Sequence, residues 1–175
     1  MRKYILMPVP KIFLILFIAF SLLMGENISK DELLVTVLPA TINPKKAPPG
    51  SPFKLTLNWE VKKPLKDQYK IFLHFLDAND KIVFQGDHEP PLAQTNLPQW
   101  KGRISYERRF IVPKDLPDGS YRIVAGLYNK NGRLKLLARK GVVEETGLRY
   151  RVGTLIVDSK APPAPPDTAG KKTLD

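Results

Sequence analysis

A chain of 175 residues with a formal net charge of +11 and no cysteine has room for one domain and some flanking sequence. The missing thiols exclude a disulfide scaffold, cysteine-ligated zinc, thiol catalysis and a lipid anchor on an N-terminal cysteine. Residues 26–175 keep a charge of +8, because the first 25 residues hold three basic side chains and no acid. That surplus suits an anionic surface such as phospholipid headgroups or acidic glycans, and it is equally typical of an ordinary soluble surface.

Residues 1–25 carry the features of an export signal. Arg2 and Lys3 supply positive charge, and residues 12–24 form an uncharged run of thirteen. A run of this length matches the core of a signal peptide and is short for a membrane span of about 20 residues. Two outcomes stay open, which are cleavage at the end of this segment and retention as a membrane anchor through residues 4–25. Both place the rest of the chain in the periplasm or at the cell surface.

The region 26–160 shows the two-residue period of half-buried β-strands. From Phe53 to Val61 apolar and polar residues alternate at every step, a pattern that a helix cannot place on one face. The other predicted strands, in chain order, cover 33–38, 69–76, 81–85, 103–112, 121–127, 134–137 and 150–157. The strand at 69–76 is apolar on both faces, which predicts a central strand covered on both sides.

Turn-forming residues separate these strands. They lie at 44–50, 78–80, 117–119 and 131–132, and the Asn-Gly pair at the last position is the strongest hairpin signal in the chain. Residues 86–102 have no period and hold three prolines, which predicts a long loop. Residues 142–147 could form at most one helical turn. Residues 161–175, with four prolines in the first six, are predicted to be a disordered tail.

Seven to nine short strands separated by turns predict an all-β fold, an immunoglobulin-like antiparallel β-sandwich. The predicted divisions are a signal or anchor at 1–25, the sandwich at 26–160 and the tail at 161–175. Asp118-Gly-Ser-Tyr121 opens a late strand, as in the tyrosine corner of such sandwiches, where a tyrosine hydroxyl bonds to nearby backbone. The predicted role of Tyr121 is therefore structural.

The long loop holds the candidate ligand-binding residues. If Trp100 is exposed, its ring can stack on a sugar, with Asp87, His88 and Gln94 supplying hydrogen bonds. The favoured interpretation makes Trp100 an apolar plug over the open end of the core.

The sequence predicts no catalytic residue, no cofactor and no metal. His74, Asp77, Asp87 and His88 match no compact metal motif, and the favoured interpretation is a hydrogen-bonded core His74 and an Asp87 that holds the loop. No phosphate-binding glycine loop, HExxH or GxSxG occurs, and no paired carboxylates stand out. Aromatic and basic residues do not alternate on one strand face, which argues against nucleic acid as a partner.

One series of residues resembles a known module. It comprises Tyr69-x-x-Phe-x-His74-Phe-x-Asp77, Gly86-Asp87-His88-x-Pro-Pro91, Thr95, Trp100-x-Gly102, Pro113-x-x-Leu-Pro-Asp-Gly119-x-Tyr121 and Gly126-Leu-Tyr128. Together these residues resemble the β-sandwich module appended to bacterial membrane glycosyltransferases of the protein-mannosyltransferase type. The resemblance covers about residues 50–135. It implies an extracytoplasmic accessory domain related to glycans, whereas transferase activity resides in membrane spans that this chain lacks.

The preferred prediction is an exported, non-enzymatic binding or accessory module of the cell envelope, whose partner is a glycan or an envelope protein. The alternative is a structural or assembly component of an envelope complex, which docks through an exposed sheet edge or the proline-rich tail. Membrane contact is expected only through residues 4–25, and only if that segment is retained.

Overall fold

Two β-sheets of twelve strands pack face to face in the computed structural model, which describes residues 30–90 and 100–163. In chain order they are β1 (Val35–Val37), β2 (Thr41–Asn43), β3 (Lys46–Ala47), β4 (Pro52–Val61), β5 (Lys70–Leu76), β6 (Ile82–Gln85), β7 (Gly102–Ile111), β8 (Gly119–Asn129), β9 (Gly132–Arg133), β10 (Leu137–Ala138), β11 (Val143–Glu145) and β12 (Arg149–Val157). The predicted immunoglobulin-like antiparallel sandwich is confirmed. Two short parallel pairings, β1–β10 and β3–β12, are added to it.

Strand β4 is the centre of the first sheet. Its alternating sequence buries Phe53, Leu55, Leu57, Trp59 and Val61, which confirms the predicted inner face. Strand β7 pairs with β4 along its whole length, while β1 and β2 share the opposite edge of β4 and β10 extends the sheet beyond β1.

The second sheet has the order β11-β12-β8-β5-β6, with β3 beside β12 and β9 beside β8. Strand β5 is buried on both faces after its first residue, as predicted. Ile71, Leu73 and Phe75 enter the core between the sheets. On the outer face Phe72 is covered by Arg133, whose guanidinium lies 4.5 Å from the ring centroid. The ring of Phe72 lies over Gly126, where a Cβ would approach it to 2.5 Å.

The predicted turns position the strands. The hydroxyl of Tyr121 donates to the carbonyl oxygen of Pro117 at 2.7 Å, so the tyrosine corner is confirmed. The carboxylate of Asp77 accepts the backbone N–H of Asn79 and of Lys81, which closes the β5–β6 hairpin.

Three segments differ from the sequence prediction. Residues 44–50, expected to be a turn throughout, contain the short strand β3. Residues 134–137 do not return as a hairpin strand, because the chain leaves the second sheet after β9 and joins β1 of the first as β10. Residues 142–147 contain strand β11 and form no helical turn. Strands β3 and β10 depend on partner strands distant in sequence, which local patterns do not report, whereas β11 forms a short hairpin with β12.

The first and last described residues of the chain lie at opposite ends of the sandwich. At one end, Val61 pairs with both Val35 and Gly102, and Lys70 pairs with Tyr128. We call this the proximal end. The segments that gather there are 30–34, 62–70, 88–90, 100–101 and 129–136. Residues 44–51, 77–81, 112–118 and 158–163 gather at the other, the distal end. The described chain therefore begins at the proximal end and finishes at the distal end.

The predicted signal or anchor at 1–25 and most of the predicted tail lie outside the described residues. Within the described residues, no helix has the length and apolar character needed to cross a bilayer.

Candidate binding cleft

Two adjoining cavities form a cleft at the proximal end, with volumes of about 600 Å³ and 620 Å³. Asp67, Tyr69, Asn129 and Asn131 line both of them. The first cavity continues toward residues 30–32, and the second is lined further by Gln68, Lys70, Glu89, Tyr128 and Lys130. We call the two cavities together the end cleft.

The β8–β9 hairpin forms one wall of the end cleft. Asn129 pairs with Gly132, so the predicted hairpin is present and its turn consists of Lys130 and Asn131. The side-chain oxygen of Asn129 accepts the backbone N–H of Asn131 at 2.8 Å. Gly132 has φ of 120°, a conformation that L side chains rarely adopt. The hairpin therefore holds the amide side chain of Asn129 at the rim of the cleft and places Asn131 beside it.

A buried carboxylate holds the opposite wall. Asp31 is 1% exposed and accepts the backbone N–H of Lys66 at 2.8 Å and of Asp67 at 3.0 Å. The hydroxyl of Tyr69 also donates to Asp31, at 3.3 Å. These bonds join the first described residues of the chain to the 62–69 loop. Asp31 is not recognisable as a structural residue from the sequence, since a single acid in a short polar segment carries no pattern.

Tyr128 supplies an aromatic surface to the end cleft. It lies on the outer face of the second sheet, partly exposed, with its ring centroid 6.4 Å from that of Phe72. On the paired strand, Lys70 forms an ion pair of 2.8 Å with Glu89, and the hydrogen bond to Glu89 raises the pKa of Lys70. An aromatic face beside amide and charged groups can stack on the apolar side of a sugar ring while those groups bind its hydroxyls.

Trp100 occupies the core, so the exposure on which its stacking role depended is absent. It is 2% exposed and packs against Trp59 and Tyr106, with ring centroids 6.3 Å and 6.2 Å away. A ring enclosed in this way offers no face to a ligand, and the favoured interpretation as an apolar plug is confirmed. Gln94 lies outside the described residues.

Asp87 and His88 bind partners within the domain. Asp87 accepts the backbone N–H of Leu73 at 2.9 Å and lies 3.2 Å from Nε2 of His74. Asp87 therefore holds the loop, and His74 is a hydrogen-bonded, nearly buried residue. These are the structural roles that the sequence favoured for Asp87 and His74. Among the described residues, no three histidines or acids come together as a metal site would require.

The two ring nitrogens of His88 are both engaged. Nδ1 lies 2.7 Å from the carbonyl oxygen of Gly86, and Nε2 lies 2.8 Å from the hydroxyl of Tyr106. Because a carbonyl oxygen only accepts, Nδ1 carries the proton and Nε2 accepts from Tyr106. Burial lowers the pKa of His88, with the Arg108 charge adding to the effect, and burial raises the pKa of Tyr106. The fold therefore favours neutral His88.

Because the fold favours neutral His88, we expect the protein to lose stability in mild acid. The unfolded chain binds a proton at His88 near pH 6.5, whereas the folded protein binds it only at lower pH. The contribution of neutral His88 is complete above pH 6.5 and is lost as the pH falls through the folded-state pKa. Urea unfolding at pH 7.5 and 5.0 (about one unit or more on each side of the ordinary value) should show a smaller drop for His88→Gln than for the unaltered protein. Equal drops would contradict the assignment, and His74→Gln serves as the matched control.

A separate cluster of charged side chains lies on the outer face of the second sheet. Glu145 lies 3.1 Å from Arg122, 3.5 Å from Arg149 and 3.8 Å from Arg151. Arg122 also bonds to Asp80 in the distal turn. The cluster joins the β11–β12 hairpin to that turn. Since each guanidinium faces a carboxylate, its role is structural.

Comparison with known proteins gives no family. No protein-family model and no curated protein matches the sequence. Among solved structures, a Niemann-Pick type C2 protein from the Japanese carpenter ant shares 11% identity with a TM-score of 0.44, over 74% of this chain and 97% of its own. The C-terminal domain of Wzt shares 12% identity with a TM-score of 0.47, over 76% of this chain and 77% of its own. The CARDB domain of the PF1109 protein from Pyrococcus furiosus, solved with di-metal ions, shares 10% identity with a TM-score of 0.37, over 76% of this chain and 97% of its own. At this level the likenesses carry no argument about a ligand or a reaction.

Proposed function

We propose that this protein is an exported, non-enzymatic accessory module of the cell envelope that binds a glycan in the end cleft. The observation that carries the proposal is the partly exposed Tyr128, set among Gln68, Lys70, Glu89 and Asn129 in a cavity of about 620 Å³. A cavity of this size accommodates a small polar ligand.

Two sequence features support the cellular setting. The basic start and uncharged run of residues 1–25 are typical of an export signal. The resemblance of residues 50–135 to the module of mannosyltransferase-type enzymes adds a link to glycans. The non-enzymatic part of the proposal rests on the polar contacts of the end cleft, where the carboxylate of Asp31 is already held by two backbone N–H groups and Lys70 is paired with Glu89.

Replacing Tyr128 by Ala should abolish binding on a glycan array, because the stacking surface is removed. Tyr128→Phe should retain most of the binding, since the ring remains. Both variants should melt close to the unaltered protein, because Tyr128 contributes to the surface of the domain and lies outside the core between the sheets. Unchanged array binding by Tyr128→Ala would remove the end cleft as the glycan site.

A second candidate function is docking to another envelope protein by strand addition. Among the described strands, the ten residues of β7 pair only with β4, and Ile111 at the end of β7 is 67% exposed. A sheet edge of this kind can accept a strand from a partner. Ile111→Lys should abolish capture of such a partner in pull-down experiments and leave glycan binding intact, whereas unchanged capture would exclude this edge.

A further inference from the structure

The excess positive charge of the domain is concentrated at one end. The segments of the proximal end contain nine lysines and arginines against four acids, a net charge of +5. The segments of the distal end contain five basic residues against five acids, a net charge of zero. The proximal end of the sandwich is therefore strongly basic, a local concentration of charge that the overall value of +11 does not reveal.

The nine basic residues of the proximal end are exposed, whereas only two of its four acids, Asp67 and Glu89, are exposed. Lys62, Lys63 and Lys130 are exposed on two different loops. Asp31 is 1% exposed and held by backbone N–H groups, and Glu89 forms an ion pair with Lys70. A flat anionic surface that approaches this end would therefore meet mainly cationic groups.

The uncharged N-terminal run joins the domain at this same end. Only residues 25–29 separate that run from Lys30, which lies on the wall of the end cleft. Six residue steps span at most about 20 Å, even when fully extended. A run held in a bilayer would thus confine the basic loops to within about 20 Å of the headgroups. From there they can come inside the range of about 10 Å over which charge attraction acts at 0.1 M salt.

We propose that the proximal end docks on the anionic phospholipid headgroups of the membrane that retains residues 4–25. Charge complementarity and the point where the N-terminal segment joins both favour a lipid surface as the partner. Docking orients the sandwich with its strands along the membrane normal and its neutral distal end outward. The end cleft then opens beside the membrane, within reach of polar groups attached to lipids. The inference rests on the proposed export and on retention of the N-terminal segment.

The absence of cysteine allows a direct test with single labels on the full chain. Gln68→Cys places a fluorophore at the proximal end, and Ala78→Cys places one at the distal end; both positions are exposed. The labelled chain is reconstituted into vesicles whose headgroups carry a nitroxide quencher. One set contains phosphatidylcholine alone and the other includes phosphatidylglycerol. We expect phosphatidylglycerol to increase quenching at position 68 by about twofold and to leave position 78 unchanged, and 1 M salt to remove the increase.

Charge variants separate docking from simple tethering. Lys62→Gln, Lys63→Gln and Lys130→Gln together should abolish the lipid-dependent quenching at position 68. The matched set Lys45→Gln, Lys81→Gln and Lys114→Gln removes the same charge from the distal end and should have no effect. Equal quenching at both labels, quenching that survives the proximal set, or loss of the chain from floated vesicles would each overturn the proposal. Glycan binding is measured on the unlabelled protein without these substitutions, because Gln68 and Lys130 line the end cleft. If that binding through Tyr128 is present while docking is absent, only the docking has failed.

Discussion

Replacing Trp100 by Ala is expected to lower the free energy of unfolding by about 3–5 kcal/mol. The side chain is 2% exposed and among the largest that are fully enclosed, and its removal leaves a cavity beside Trp59 and Tyr106. The surrounding strands cannot collapse into that space, because Tyr106 is also bonded to His88. Urea unfolding followed by tryptophan fluorescence and by circular dichroism measures the change.

The conservative variant Trp100→Phe should lose much less stability, because most of the ring volume remains. Glycan binding by Trp100→Ala, measured where the variant is still folded, should be retained, since the ring faces the core and lies apart from the end cleft. An unfolding free energy within about 0.5 kcal/mol of the unaltered protein, the range typical of surface positions, would show that Trp100 does not act as a core residue.

Removal of the Asp31 carboxylate is expected to have the second largest effect. In Asp31→Ala two backbone N–H groups, of Lys66 and Asp67, and the hydroxyl of Tyr69 lose their common acceptor inside the protein. Hydrogen bonds to a charged acceptor are worth about 1.5–3 kcal/mol. We expect the unfolding free energy to fall by about 3 kcal/mol.

Asp31→Ala should also weaken ligand binding, because Asp67 and Tyr69 line both cavities of the end cleft. Hydrogen exchange should increase first at residues 62–69, the segment that Asp31 holds. Glu32→Ala is the matched control, since it removes an adjacent carboxylate that lies closer to the surface. Equal losses of stability in the two variants would contradict the role assigned to Asp31.

The sequence predicts a strand correctly where the burial of each face of that strand produces a recognisable pattern of apolar and polar residues. Strand β4 alternates strictly because one face meets the core and the other meets water, and β5 is apolar throughout because both of its faces are covered. The tyrosine corner was equally readable, because Pro117 and Tyr121 lie four residues apart and their contact is local. Strands β3 and β10 are two residues long and exist only through remote partners, and β11 is a three-residue strand too short to show a period of its own.

The candidate site was harder to predict for a related reason. Trp100 follows a proline-rich loop, which left its exposure open, and its contacts come from Trp59 and Tyr106 on neighbouring strands. Tyr128 did carry a readable signal, since it falls on the outward side of the 121–127 alternation, immediately before the hairpin turn. Asp31 carried none, because its function depends on backbone groups that sequence does not display.

The entry and exit of the described chain at opposite ends have a mechanical consequence. A force applied between residues 30 and 163 acts along the strands, and it would load the β1–β4 and β12–β8 ladders in shear. Hydrogen bonds in such ladders lie across the strand direction. Those of the seven residue pairs between β12 and β8, and those of the three pairs between β1 and β4, must therefore break together before the strand slides. Peeling a strand from one end would instead break them singly. The sandwich is thus suited to carry tension between whatever holds its first residue and whatever pulls on its last.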